Sequence, residues 1–325
     1  METVLFGLNI KPSKMENKKQ IYLHIGYNKT GTSAVQNSFY RNRKSLKKNG
    51  VYYPVKCRGK RRSPAHHSLA ESLLYHIGKP LPRFVNAKIY REYPMDYYWN
   101  LLKHELADTD CQAIFISSEA FNRLRANPGQ IEFIREHLHD FDVKILVYLR
   151  SLPEFLESAY NQAVKRGRES RSVDELMEMG WMNINYFEEI EQWAAVFGTN
   201  NMIVRIFDKE TMKGGVVKDI IKVLKQEGLN VDTSGWSAKF FDLRWNIRLP
   251  NNMVERKRRI NASVKLPGFL DKAVNLYLHW VGSYAPDVSL LSHEQKEQIR
   301  NKNFISNQKL GEKYLNLSSP FSETD

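Results

Sequence analysis

The chain has 325 residues, 42% of them hydrophobic and 26% charged, which suits a globular protein with enough material for one large or two small domains. Its net charge of +13 and pI of about 9.5 favour anionic partners such as nucleotides, phosphates, acidic glycans, nucleic acid or an anionic membrane surface, without choosing among them. The two cysteines, Cys57 and Cys111, form no CxxC pair, which excludes a disulfide framework or structural zinc and fits a reducing compartment.

In chain order, residues 1–19 read as a polar leader, expected to be poorly ordered and lacking the basic start of a signal peptide. A first strand is predicted over 20–25, followed by a basic helix over 32–48 carrying Ala34, Val35, Phe39 and Leu46 and ending at Asn49-Gly50. His66-His67 precede an amphipathic helix, and the aromatic and basic stretch Arg83 to Trp99 leads into a helix at 96–107. Further short apolar runs at 113–117, 143–149 and 201–207 have the character of buried parallel strands. Helices are predicted at 153–166, opened by Pro153, at 185–197 and at 215–227. Beyond residue 240 only helical segments stand out, at 253–260, 268–281 and 292–300. The alternation implies an α/β fold: a P-loop-like central parallel sheet flanked by helices, with a mostly helical C-terminal region. One domain over 20–325 is expected, its α/β core over 20–230 and its helical part over 240–325. No apolar run approaches the roughly 18 residues needed to span a bilayer, so the expectation is a soluble, cytoplasmic protein.

Two stretches carry chemistry. In Ile21-Tyr-Leu-His-Ile-Gly-Tyr-Asn-Lys-Thr-Gly-Thr-Ser33 an apolar run stops at a glycine, and hydroxyl residues then open a helix. Such a junction aims backbone N–H groups and a helix dipole at one spot, which suits a tetrahedral anion. It also reads as an ordinary turn whose Thr or Ser caps the helix. Here Lys29 precedes Gly31, whereas the nucleotide triphosphatase loop runs Gly-Lys-Ser/Thr. The second stretch, Val143-Lys-Ile-Leu-Val-Tyr-Leu-Arg150, ends a strand in arginine, with Ser158 eight residues on in the next helix. That places Arg150 at the carboxyl edge of a sheet, where an arginine fork and a hydroxyl make a phosphate clamp. The alternative is an arginine paired with a surface carboxylate.

Together these stretches resemble the sulfotransferases that use 3′-phosphoadenosine 5′-phosphosulfate. The first loop is similar to their 5′-phosphosulfate loop, and Tyr-Leu-Arg…Ser-Ala-Tyr160 to their 3′-phosphate site. Leu46-Lys-Lys-Asn-Gly-Val-Tyr-Tyr-Pro54, Ile116-Ser-Ser-Glu119, Tyr186 through Trp193 to Phe197-Gly198, and Val204-Arg-Ile-Phe207 resemble bacterial members. The likeness runs in order over residues 20 to 230. It implies that Lys29 contacts the transferring sulfonate and its bridging oxygen. Thr30, Gly31, Thr32 and Ser33 would hold the 5′-phosphate, Arg150 and Ser158 the 3′-phosphate, and Phe207 would lie near the adenine. The Arg-Lys-Gly loop of the cytosolic small-molecule enzymes is absent. Basic charge clusters instead in Glu255-Arg-Lys-Arg-Arg259, which favours the bacterial, carbohydrate-modifying branch.

Glu119, at the end of a strand beside the loop, is the candidate general base for an acceptor hydroxyl. It could instead cap the next element or pair with Lys29. His66 and His67 are candidates for substrate positioning, with a histidine as the alternative base. Arg83 to Trp99 offers either a sugar-stacking surface or the amphipathic wall of a loop, and Arg166, Arg168 and Arg171 either an acceptor channel or solvated charge. The resemblance thus implies a metal-independent enzyme with adenosine 3′,5′-bisphosphate as product. Its acceptor would be a glycan or glycolipid; the net charge leaves room for peripheral contact with an anionic membrane surface, and no nucleic-acid partner is expected. A P-loop kinase or other nucleotide-dependent transferase, and a basic nucleic-acid-binding module, are the competing readings.

Overall fold

The computed structural model describes residues 18–321, apart from 28, 59–62, 82–84, 182, 209–211, 213, 238–247, 285 and 287. Most of the expected leader therefore lies outside the described residues. Five strands and thirteen α-helices follow one another among the described residues: β1 (Gln20–His24), α1 (Thr32–Arg41), α2 (Arg43–Lys48), β2 (Val51–Tyr52), α3 (His67–His76), α4 (Lys88–Arg91), α5 (Tyr97–Ala107), β3 (Ala113–Ser117), α6 (Pro128–His137), β4 (Asp142–Leu149), α7 (Leu152–Lys165), α8 (Val173–Glu178), α9 (Tyr186–Phe197), β5 (Met202–Ile206), α10 (Gly215–Gln226), α11 (Asn251–Ser263), α12 (Gly268–Gly282) and α13 (His293–Leu310).

The strands form one parallel sheet in the order β2-β3-β1-β4-β5. Gln20 pairs with Ala113 on one side and with Asp142 on the other, so β1 is central. The pleat sends alternate side chains to opposite faces. Ile21, Leu23, Ile114, Ile116, Ile145, Val147 and Leu149 face a core closed by α3, α5, α6 and α9. Tyr22, Phe115, Leu146 and Tyr148 face the other core, under Val35 and Phe39 of α1 and Val217, Ile220 and Leu224 of α10. Helices on both faces explain why these strands read as continuous apolar runs. The C-terminal helices are part of this architecture: Ile299 and Leu310 of α13 lie in the first core, and α12 packs Leu278 against Val164, Met253 and Val254.

The sequence differs from the structure in two informative places. The helix predicted over 32–48 is broken into α1 and α2 at Asn42, whose side-chain amide donates to Ser38 O at 2.8 Å. An amide that competes for a helix carbonyl in this way ends the helix locally. The strand β2 is only two residues long and has no periodicity to detect.

The order of strands creates the site. The chain leaves β1 toward β2 and leaves β4 toward β5, so the connections diverge between β1 and β4. In open parallel sheets a crevice opens at the carboxyl edge of such a switch point. The loop after β1 and Arg150 after β4 border it.

Candidate functional site

The loop from Ile25 to Gly31 is shaped by its own hydroxyls. Thr30 Oγ1 and Thr32 Oγ1 both donate to Tyr27 O, at 2.7 and 3.2 Å, and neither caps α1. The reading of this segment as a Thr- or Ser-capped turn therefore fails, because the hydroxyls brace the loop and the helix starts from Gly31. The first-turn N–H groups of Thr32 and Ser33 have no acceptor within the helix, as at any helix start. Tyr27 is anchored below by its hydroxyl to Glu189 on α9, and Arg125 Nε holds the same carboxylate at 2.7 Å. Burial raises the pKa of Glu189 while Arg125 opposes that shift.

Gly31 is demanded twice over. Its φ is +76°, in the left-handed region, and a Cβ there would stand 2.6 Å from Val216 Cγ1 of α10 and 3.3 Å from Phe207 Cε2. Gly31→Ala is expected to destabilise the fold by about 1–3 kcal/mol through backbone strain and the clash together, read as a lowered midpoint in urea. An unchanged midpoint would show that α10 can withdraw. Lys29 has φ 71° without being glycine, so the loop holds its side chain at a conformational cost.

Around Lys29 the molecule gathers positive charge. Burial, and then the fields of Arg166, Arg150, Arg248 and Lys165, press its pKa down to about 8. Lys165 and Arg166 close the C-terminal end of α7, and burial lowers both their pKa values. Arg248 is delivered by a strap tied to α7, where Asn161 Nδ2 donates to Leu249 O at 2.7 Å and Leu249 N donates to Asn161 Oδ1. Like charges crowded together at a crevice destabilise the empty protein and suit an anion. His24, at the end of β1, adds a second indication. Its Nδ1 lies 2.9 Å from Ser117 Oγ, whereas Nε2 is buried with no hydrogen-bond partner among the described residues. That nitrogen is directed at the loop, 3.1 Å from where a Cβ on Gly26 would be. Burial lowers the His24 pKa to about 4, so the ring is neutral at pH 7.

Arg150 is buried and makes a bidentate ion pair with Glu154 at 2.9 and 2.7 Å, one turn into α7. Ser158 lies one further turn along the same helix face, also buried. The Phe207 ring is 5.9 Å from the Arg150 guanidinium and in reach of Gly31, so it links the two halves of the crevice.

Glu119 follows β3 at the same sheet edge. Its Oε2 accepts from Gln36 Nε2 of α1 at 2.9 Å, and its Oε1 lies 3.9 Å from His67 Nε2. Among the described residues these are its partners, and Lys29 is not one of them. Ser118 Oγ lies 2.8 Å from His67 Nδ1, so the imidazole is fixed at that nitrogen, while Nε2 faces Glu119 beyond hydrogen-bond distance. The neighbouring histidine behaves differently. His66 is fully buried, its Nδ1 takes the Ser117 N–H at 3.0 Å, and its Nε2 lies 2.9 Å from Pro54 O. Burial drops its pKa to about 3. Both nitrogens are engaged in joining β3 to the segment after β2, which leaves His66 nothing to offer a substrate. Of the pair, His67 alone faces Glu119.

Other predicted surfaces are placed elsewhere. Tyr90, Tyr98 and Trp99 are core residues, with Tyr90 Oη donating to Glu71 at 2.7 Å and Trp99 Nε1 to Leu69 O. Arg171 pairs with Glu169, whereas Arg166 joins the cations around Lys29. In the basic cluster of α11, Arg258 and Arg259 pair with Glu255, and buried Lys257 pairs with Asp271 at 2.8 Å. Sequence reasoning missed Gln36, His24, Lys165 and Arg248. Among the described residues no group of His, Cys, Asp or Glu is arranged to hold a metal ion. No described helix is long and apolar enough to cross a membrane.

No family model matches the chain. An uncharacterized protein from Archaeoglobus fulgidus is 30% identical over 215 residues, which cover 64% of this chain and 55% of that protein. The chain thus matches about half the length of this relative. Among solved structures, a sulfotransferase from Alicyclobacillus acidocaldarius superposes with a TM-score of 0.40 at 17% identity, covering 81% of this chain and 91% of that one. The sulfotransferase domain of the Synechococcus PCC 7002 olefin synthase gives 0.36 at 13% identity, covering 84% and 98%. At such scores and identities neither likeness identifies the chain.

Proposed function

We propose that this protein is a sulfotransferase that moves the sulfonate of 3′-phosphoadenosine 5′-phosphosulfate to a hydroxyl on a glycan or glycolipid. The observation that carries this reading is the convergence of Arg150, Lys165, Arg166 and Arg248 on Lys29, beside a strand–loop–helix junction whose lysine precedes its glycine. The chain's residues fit such a donor: cations at the crevice, an unpartnered His24 Nε2 under the loop, and a glycine at the helix start.

The donor supplies an electrophilic sulfur, which gains a bond to the acceptor oxygen as its bond to the 5′-phosphate oxygen breaks. Glu119, held by Gln36, takes the proton of the attacking hydroxyl. Lys29 and the N–H groups of Gly31, Thr32 and Ser33 stabilise the charge that grows on the departing oxygen. Arg150 and Ser158 hold the 3′-phosphate, which requires Arg150 to share or release Glu154. Phe207, next to Arg150, packs against the base. His67 orients the acceptor next to Glu119.

Adenosine 3′,5′-bisphosphate is expected to raise the melting temperature of the full-length protein well above the effect of ATP with magnesium, and to do so in EDTA. A magnesium-dependent response to ATP with none to the bisphosphate would move the protein to the kinases. Tight, strongly salt-dependent oligonucleotide binding with no nucleotide response would make it a nucleic-acid module.

A further inference from the structure

The face of α12 turned away from the core, together with the turn that follows the helix, is apolar. Phe269, Leu276, Tyr277, Trp280 and Tyr284 are 72%, 73%, 61%, 61% and 77% exposed. Phe269, Ala273, Leu276, Tyr277 and Trp280 fall at helical spacing on α12, in one stripe about 100° wide, and Tyr284 follows four residues after Trp280, in the turn past the helix end. The opposite face, Val274, Leu278 and Val281, is already used against α7 and α11. The stripe is therefore a second apolar face with no cover among the described residues. Its composition is that of an interfacial helix: Trp and Tyr have an apolar body and a polar tip, and Tyr277, Trp280 and Tyr284 form a ring ladder at 6.5 and 5.8 Å.

The charge around it is one-sided. Residues 255–284 hold six Lys and Arg against two acids, and both acids are spent internally, Glu255 on Arg258 and Arg259 and Asp271 on Lys257. Lys272 borders the stripe, and Lys265 and Arg256 are exposed close by in the chain. The patch also adjoins the candidate site. Asn275 of α12 donates to Lys165 O at 3.0 Å, and Asn261 of α11 to Val164 O at 2.8 Å, both at the end of α7 that carries Lys165 and Arg166.

We infer that α12 docks the protein on an anionic lipid bilayer, its aromatic stripe entering the headgroup boundary while Lys265, Lys272 and Arg256 meet the lipid phosphates. An apolar helical face flanked by cations is the combination such a surface binds. Docking in this orientation holds the cationic crevice beside the membrane. The inference stands on α12 itself and does not depend on which anion the crevice takes.

The test is co-sedimentation of the full-length protein with vesicles of phosphatidylcholine alone or with about one-third phosphatidylglycerol. The protein is expected to bind the anionic vesicles, and to bind the neutral ones far more weakly. Leu276→Ser with Trp280→Ser should lower vesicle affinity at least about tenfold, and Lys265→Glu with Lys272→Glu by a similar factor that shrinks at high salt. These exposed positions should leave the melting temperature unchanged, which separates lost docking from lost folding. A protein that ignores anionic vesicles, or variants that bind them as well as the parent, overturns the inference. If the non-binding parent is instead a dimer that Leu276→Ser with Trp280→Ser dissociates, a second copy covers this face.

Discussion

Lys29→Ala is expected to lower kcat by about 10²–10³-fold, the usual loss when one donor to a developing oxyanion is removed, while the melting temperature of the empty protein stays level or rises. The second half of that expectation follows from the electrostatics. Lys29 sits in a left-handed backbone conformation, half-buried, in the field of four other cations. A residue placed so serves the ligand at the expense of the fold. Its removal relieves repulsion on Arg150 and Arg166, so a loss of activity with no loss of stability distinguishes this lysine from a structural one. A variant that melts markedly lower would show that Lys29 supports the loop.

The same lysine sets an alkaline limit. Its pKa is lowered to about 8, so the ammonium predominates at pH 7 and is lost as the pH rises through 8. An anionic donor favours the charged form. From neutral pH upward, the profile of kcat/KM should therefore be flat to about pH 8 and fall by about tenfold per pH unit above it. Arginine remains charged throughout this range, so Lys29→Arg should flatten the limb even if its rate is low. A limb that persists in the arginine variant belongs to another group.

What could be read from the sequence was what is local. Runs such as Ala113–Ser117 and Asp142–Leu149 are buried on both faces and announce themselves as strands wherever they lie in the chain. The loop from Gly26 to Ser33 is likewise contiguous, so its glycine and lysine order was visible without a fold. Residues that act through tertiary approach left no such trace. Gln36 meets Glu119 from 83 residues away, and Arg248 reaches the crevice only because Asn161 holds its strap to α7. Of the aromatic stretch read as either a sugar-stacking surface or the amphipathic wall of a loop, Tyr90, Tyr98 and Trp99 belong to the first core. The alternative of an arginine paired with a surface carboxylate is what Arg150 shows, and its partner was legible: Glu154 stands four residues on, the helical spacing at which a carboxylate closes on an arginine.

Glu119→Gln is expected to leave donor affinity intact and to reduce kcat by about 10²–10⁴-fold, the range for loss of a positioned general base. The substitution keeps the shape and one acceptor oxygen, so the amide can still receive the Gln36 Nε2 hydrogen bond that joins β3 to α1. Lys29, Arg150 and the loop are untouched, and the negative charge that attracts Arg166 is removed, so binding of adenosine 3′,5′-bisphosphate should not weaken. The measurement is therefore a pair: calorimetric binding of the bisphosphate, and turnover with a sulfonate acceptor. His67→Asn is the necessary companion, because His67 Nε2 lies 3.9 Å from the same carboxylate and its ring is held through Ser118. With Glu119 as the base, the histidine variant loses acceptor affinity more than kcat, since it orients the acceptor beside the carboxylate. Turnover that survives in Glu119→Gln but collapses in His67→Asn would reverse the assignment, making His67 the base and Glu119 the group that orients it.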